Sequence, residues 1–120
     1  HVRIFEWKGT TVGWVLMGND IDGEAAGDSS GRVSLSDDGT KVAIGAIGND
    51  GGGDSSGHVR VFEWKGTTDG WVLMGNDIDG EAENDRSGKS VSLSADGTKV
   101  AIGATGNDGN GTSSGHVRIF

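Results

Sequence analysis

The sequence predicts an all-β protein built of tandem four-stranded antiparallel units, and three observations lead there. The first is repetition: His58-Val59-Arg60-Val61-Phe62 has a counterpart at His1 and another at His116, 57 residues before and 58 residues after. Self-similarity at one period marks a repeat architecture, in which each unit buries its apolar faces against its neighbours. The second is that each period holds short apolar runs bounded by Gly, Asn, Asp and Ser, with no helical periodicity. The third is composition: 32% of the 120 residues are hydrophobic and 24 are glycine, which is thin material for an independent core.

The two periods differ in length by one residue, after Gly31, where Arg32-Val33 faces Lys89-Ser90-Val91. About ten other positions differ, among them Ile4/Val61, Val12/Asp69, Gly27/Asn84, Asp37/Ala95 and Asp54/Thr112. The chain therefore divides into a first repeat over residues 1–57, a second over 58–115, and the start of a third over 116–120.

Within the second repeat, His58 to Trp64 carries apolar groups on both parities, as a strand between two layers does. Lys65-Gly66-Thr67-Thr68-Asp69-Gly70 is turn chemistry, and Trp71-Val72-Leu73-Met74 is a second short strand, so two tryptophans bracket a hairpin. A polar loop over residues 75–85 follows, then Lys89-Ser90-Val91-Ser92-Leu93-Ser94, a strand with one small-residue face. Ala95-Asp96-Gly97-Thr98 makes a hairpin turn into Lys99-Val100-Ala101-Ile102-Gly103-Ala104, and residues 106–115 close the unit as a glycine-rich connector. Four short strands per period, small residues in two and aromatics in the others, fit the wedge-shaped blade of a β-propeller. Nine strands are expected in all, one complete blade between two partial ones, with strand edges at both ends that need a neighbour.

Ser87-Gly88-Lys89-Ser90-Val91-Ser92-Leu93-Ser94, Asp96-Gly97-Thr98-Lys99-Val100-Ala101-Ile102-Gly103-Ala104 and Gly115-His116-Val117-Arg118-Ile119-Phe120 together resemble the FG-GAP repeat of integrin α-chain-type propellers. The resemblance implies that the Ser-Val-Ser-Leu strand is innermost, Lys-Val-Ala-Ile-Gly-Ala second, His-Val-Arg-Val-Phe third and Trp-Val-Leu-Met outermost. This chain departs from the family at Ser30 and Ser87, which replace the Phe of Phe-Gly, and at Ile47 and Thr105, which replace the Pro of Gly-Ala-Pro. The family's calcium loop lies between the first two strands, where this sequence has only Asp38-Gly39 or Asp96-Gly97.

The strongest candidate for chemistry is Asp20-Ile21-Asp22-Gly23-Glu24 with Asp28, repeated as Asp77-Ile78-Asp79-Gly80-Glu81 with Asp85. Alternating carboxylates before a glycine turn several oxygens toward a hard cation, so Asp20, Asp22, Glu24, Asp28, Asp77, Asp79, Glu81 and Asp85 are candidate Ca²⁺ ligands. The alternative is a solvated acidic loop whose Asp and Gly residues shape tight turns. Asn49-Asp50-Gly51 with Asp54 is a second polar loop, read as a linker because Thr112 replaces Asp54 in the other copy. Asn110-Gly111-Thr112 is an acceptor triplet for N-glycosylation at Asn110. His1, His58 and His116 fill one slot and read as packing or hydrogen-bonding residues, and Trp7, Trp14, Trp64 and Trp71 as packing between blades.

The formal net charge of -8, without a basic patch, argues against a nucleic-acid partner, and no apolar run reaches the roughly 20 residues of a membrane-spanning helix. No serine is marked as a nucleophile, since each has a repeat partner, so the chain is not expected to be an enzyme. The expected function is a non-enzymatic scaffold for binding or adhesion in an extracellular or cell-surface protein. Its partner would be a protein or carbohydrate ligand, or copies of itself through exposed strand edges. Two other classes stand beside it: a repeat unit that self-assembles into a ring or fibre, and a non-catalytic part of a larger secreted enzyme.

Overall fold

The computed structural model describes residues 1–109, 111–112 and 114–120. Its described residues form ten strands: β1 (Phe5–Trp7), β2 (Trp14–Leu16), β3 (Ser30–Leu35), β4 (Lys41–Ala46), β5 (His58–Trp64), β6 (Trp71–Leu73), β7 (Ile78–Asp79), β8 (Ser87–Leu93), β9 (Val100–Ala104) and β10 (His116–Ile119). All strand pairs are antiparallel. The central sheet has the order β3-β4-β5-β6, flanked by a two-stranded sheet β1-β2 and a three-stranded sheet β8-β9-β10. One complete four-stranded unit between two partial ones is what the strand pattern predicts. The tenth strand, β7, corrects the expected count of nine: Ile78 and Asp79 leave the acidic loop to pair with Val59 and His58 at the free end of β5.

The central and third sheets each straddle a repeat boundary, because the chain leaves the outermost strand of one sheet and crosses to the innermost strand of the next. The Trp7–Trp14 and Trp64–Trp71 pairs close the outer hairpins at the same register, with ring centroids 5.3 Å apart in both. The extra residue of the second repeat goes into a bulge. Only Gly31 is looped out between the Ser30 and Arg32 pairings, whereas Gly88 and Lys89 are looped out between Ser87 and Ser90. A bulge absorbs an insertion without turning the following side chains to the wrong face.

The cores lie between the sheets. Val2, Ile4 and Ile21 of the first unit pack against Val42, Ile44 and Phe62 of the central sheet. On the other parity of the same strands, Ala43, Val59 and Val61 pack against Val100 and Ile102 of the third sheet. β4 is thus apolar on both faces because both faces are covered. Close to the inner strands the sheets approach until backbones meet: the Leu93 amide donates to Ser34 Oγ at 3.0 Å, and the Asp37 amide to the Ala95 carbonyl at 3.0 Å. The serines read as a small-residue face therefore act as spacers between adjacent inner strands.

Gly45 sits at one of the tight approaches, where a Cβ would collide with the Gly88 backbone of the next sheet. Its repeat counterpart, Gly103, would meet only the Ser90 side chain. Gly45→Ala should therefore destabilise the fold by about 1–3 kcal/mol, and Gly103→Ala by clearly less, because a hydroxymethyl group can rotate away and a backbone cannot. Thermal unfolding of the two variants checks this; equal losses would mean that the close approach of the sheets is not what requires Gly45.

Candidate functional site

The acidic loops are built by their own sequence. The Asp28 carboxylate is buried and accepts from the Ala25 amide at 3.1 Å and from Asn49 Nδ2 at 3.1 Å. Asp85 repeats this with the Ala82 amide at 3.2 Å and Asn107 Nδ2 at 2.9 Å. Asn49 Oδ1 in turn accepts the Gly51 amide at 2.8 Å. Asp28 and Asp85 are thus committed to fastening the two polar loops to each other, an exchange of buried hydrogen bonds that leaves little reason for them to be solvated turns. The second polar loop is also more than a linker: the backbones of Asp54, Ser55 and Ser56 accept from Asn84, Arg86 and Ser87 at 2.7–3.1 Å.

The remaining carboxylates gather around the histidine slot. His58, at the start of β5, has a side chain only 1% exposed. Its Nδ1 lies 3.4 Å from Glu24 Oε1 of the preceding repeat, 3.6 Å from Asp77 Oδ2 and 3.8 Å from Asp79 Oδ1. These separations suit ion pairs, but neither ring nitrogen makes a hydrogen bond among the described residues. The ligand atoms of His58, Asp77 and Asp79 lie within 4.8 Å of one another, as do those of His58, Glu24 and Asp28. At the first copy His1 keeps only the two aspartates of its own repeat, Asp20 at 3.7 Å and Asp22 at 3.9 Å. At the third, among the described residues, His116 keeps only the glutamate of the preceding repeat, with Nε2 3.2 Å from Glu81. The histidine set is complete only at the junction that has a repeat on both sides.

The same junction carries a second recurring contact. Arg60 Nη2 donates to the Asp22 carbonyl at 2.7 Å while its guanidinium lies 5.1 Å from the Phe62 ring centroid. Arg118 does the same with the Asp79 carbonyl at 2.7 Å and Phe120 at 5.1 Å. Trp71 Nε1 adds a bond to the Met17 carbonyl at 3.0 Å. An open groove of about 420 Å³ runs along this junction between residues 18–22 and 67–71.

Sequence reasoning marked the carboxylates and missed His58 and Arg60. The signal was present: both recur at the period of the acidic loop, so any contact they make with it must recur too. The tryptophans occupy their expected place where a neighbour exists, for a Cβ on Gly18 would meet the rings of Trp64 and Trp71. Asn110 lies outside the described residues, so the glycosylation triplet has no structural description.

The position of the family calcium loop holds a different structure. Asp38 Oδ1 accepts from the Thr40 hydroxyl at 2.7 Å, the Thr40 amide at 3.0 Å and the Ser36 hydroxyl at 2.9 Å, and Asp96 is bonded in the same way. One carboxylate engaged by three donors makes a hydrogen-bonded turn, whereas calcium takes six to eight oxygens; the residues do not fit that ion. The Thr40 and Thr98 side-chain hydrogen bonds are the main reason why both carboxyls are held at about 2, below the ordinary 3.8.

The family model of the FG-GAP repeat matches residues 78–120, which run from β7 through β10. No curated protein and no solved structure matches the chain.

Because the folded-state values are depressed, the turn carboxylates contribute stability that is fully present above pH 3.8 and is lost as the pH falls toward about 2. Asp38→Asn combined with Asp96→Asn should therefore lower the melting temperature at pH 7, and the gap to the parent should close between pH 4 and pH 2. A gap that stays constant over that range would show that the charge of these turns contributes nothing.

Proposed function

We propose that the chain is a non-enzymatic segment of an open-ended β-propeller array in an extracellular or cell-surface protein, where it serves as a binding or adhesion scaffold. The observation that carries this reading is the burial of equivalent residues. Val59 and Val61 are 0% and 9% exposed beneath the third sheet, while their counterparts Val117 and Ile119 are 65% and 72% exposed. At the other end Phe5, Trp7 and Trp14 are 42%, 50% and 66% exposed, and Val33 and Leu35 lie open on β3 where a preceding sheet would have its inner strands. The two end faces are the two halves of one junction, so each is complementary to the other. They are suited to further repeats of the same kind, giving a rigid body whose loops, groove and acidic surface are available to a protein or carbohydrate ligand.

The FG-GAP match over β7 to β10 supports the propeller arrangement and the adhesion class, and the three sheets would then be successive blades in which each repeat supplies outer strands to one and inner strands to the next. A second reading rests on the same end faces: copies of this chain could stack head to tail and assemble a ring or fibre.

Light scattering of the chain, with and without calcium, separates the two. The array reading predicts a monomer or non-stoichiometric association through the sticky ends, and a monodisperse monomer once capping repeats with polar outer faces are added. A sharply defined closed trimer or tetramer, or long regular polymers, would contradict it and establish self-assembly.

A further inference from the structure

We propose that His58, Asp77 and Asp79, closed by Glu24 of the preceding repeat, bind a divalent first-row transition cation of the zinc class and so fasten adjacent repeats together. Three features converge on one point. The first is a buried imidazole: His58 is 1% exposed, and both of its ring nitrogens lack hydrogen-bond partners among the described residues. Leaving such a group unsatisfied is costly, and a buried unpartnered polar group calls for something to satisfy it. The second is the direction in which Nδ1 faces, with three carboxylates at 3.4, 3.6 and 3.8 Å. Bonds of roughly 2.0–2.1 Å to a tetrahedral cation place neighbouring ligand atoms about 3.3–3.5 Å apart; the ligand atoms of His58, Asp77 and Asp79 already lie within 4.8 Å of one another, and Glu24, which groups with His58 and Asp28, joins them by turning its side chain. Glu24 and Asp79, each with a side chain 44% exposed, have room to move.

The third is how the positions are held. His58 pairs with Asp79 across β5 and β7, so the backbone ladder presents both ligands from one rigid edge. Glu24 arrives on the loop whose Asp22 carbonyl is clamped by Arg60 at 2.7 Å and whose Asp28 is bonded to Asn49 at 3.1 Å. The ligand set therefore spans two repeats, and a bound cation would cross-link them.

The donor types decide the cation. Calcium takes oxygen ligands and gains little from a buried imidazole nitrogen, whereas imidazole with carboxylate suits zinc and its first-row neighbours. The competing arrangement is an ion-paired cluster of the imidazole with the three carboxylates and no metal.

Titration of the whole chain with Co²⁺, followed by its visible absorption, and then with Zn²⁺ as competitor tests this. One Co²⁺ per chain is expected, displaced by Zn²⁺ and not by Ca²⁺, with an absorption spectrum showing nitrogen ligation. Asp77→Asn and Glu24→Gln, conservative changes at solvent-reaching carboxylates, should each weaken binding by about tenfold or more, the order of loss seen when a metal site's supporting groups are removed. His58→Gln should abolish it, while His1→Ala should leave it intact and so separate the site from chelation by the chain's first residue. Absence of Co²⁺ and Zn²⁺ binding would overturn the proposal in favour of the ion-paired cluster. Binding unchanged by Asp77→Asn and Glu24→Gln would place the metal elsewhere, and equal competition by Ca²⁺ would make the site an oxygen-ligand site; either result overturns it.

Discussion

The packing of each sheet against the next is the constraint on which the rest of this molecule depends. No single sheet has enough apolar material for a core, and the apolar clusters join residues of consecutive sheets: Ile4 and Ile21 with Ile44 and Phe62, Val59 and Val61 with Val100 and Ile102. Complete burial of one such aliphatic side chain contributes about 1.5–3 kcal/mol, so a few of them outweigh the surface ion pairs of the outer strands, which contribute about 0–1 kcal/mol each. The molecule is accordingly elongated, 54 × 29 × 25 Å, with its sheets stacked along the chain. Small residues follow from the same constraint. Ser34 sits where the inner strands of neighbouring sheets touch and Gly45 where β4 meets the inner strand of the next sheet, and the bulky Trp64 and Trp71 fill the outer part of the junction against Gly18.

Apolar contact sets the distance between the sheets, and polar contact sets their register. The Arg60 guanidinium on the Asp22 carbonyl, the Trp71 indole on the Met17 carbonyl and the Asn49 amide on Asp28 are directional bonds that only one alignment satisfies. His58 stands in the same seam, and its carboxylate neighbours come from both repeats. A site assembled at such a junction exists only when the junction does, so its formation reports that two repeats have docked.

Much of this fold was legible in the sequence because the sequence repeats. The four strands of a unit, the hairpin bracketed by tryptophans and the partial units at either end follow from turn residues and alternation, while the inner-to-outer order of the strands came from the family resemblance. β7 was not legible, since Ile78-Asp79 lies in a run of Asn, Asp, Gly and Glu, and its pairing is decided by the free edge of β5. The carboxylates were marked as a group, yet their division was not foreseeable. Asp28 and Asp77 look alike in a string, and what separates them is that Asn49, 21 residues from Asp28, reaches back to bury it. His58 looked like packing because its partners belong to loops 19 or more residues away on either side, one of them in the previous repeat. Long-range partners of single polar residues are set by docking, and local pattern does not encode docking.

Hydrogen exchange on this one chain is the most direct test of the claim that neighbouring sheets, rather than the strands themselves, supply the stability. Val42-Ala43-Ile44 and Val100-Ala101-Ile102 have the same sequence and the same place between two paired strands, and differ in that only the first triplet is covered by a following sheet. The packing account predicts distinctly slower amide exchange for the triplet in β4 than for the one in β9. Equal protection of the two would mean that strand pairing within a sheet suffices, and would contradict it.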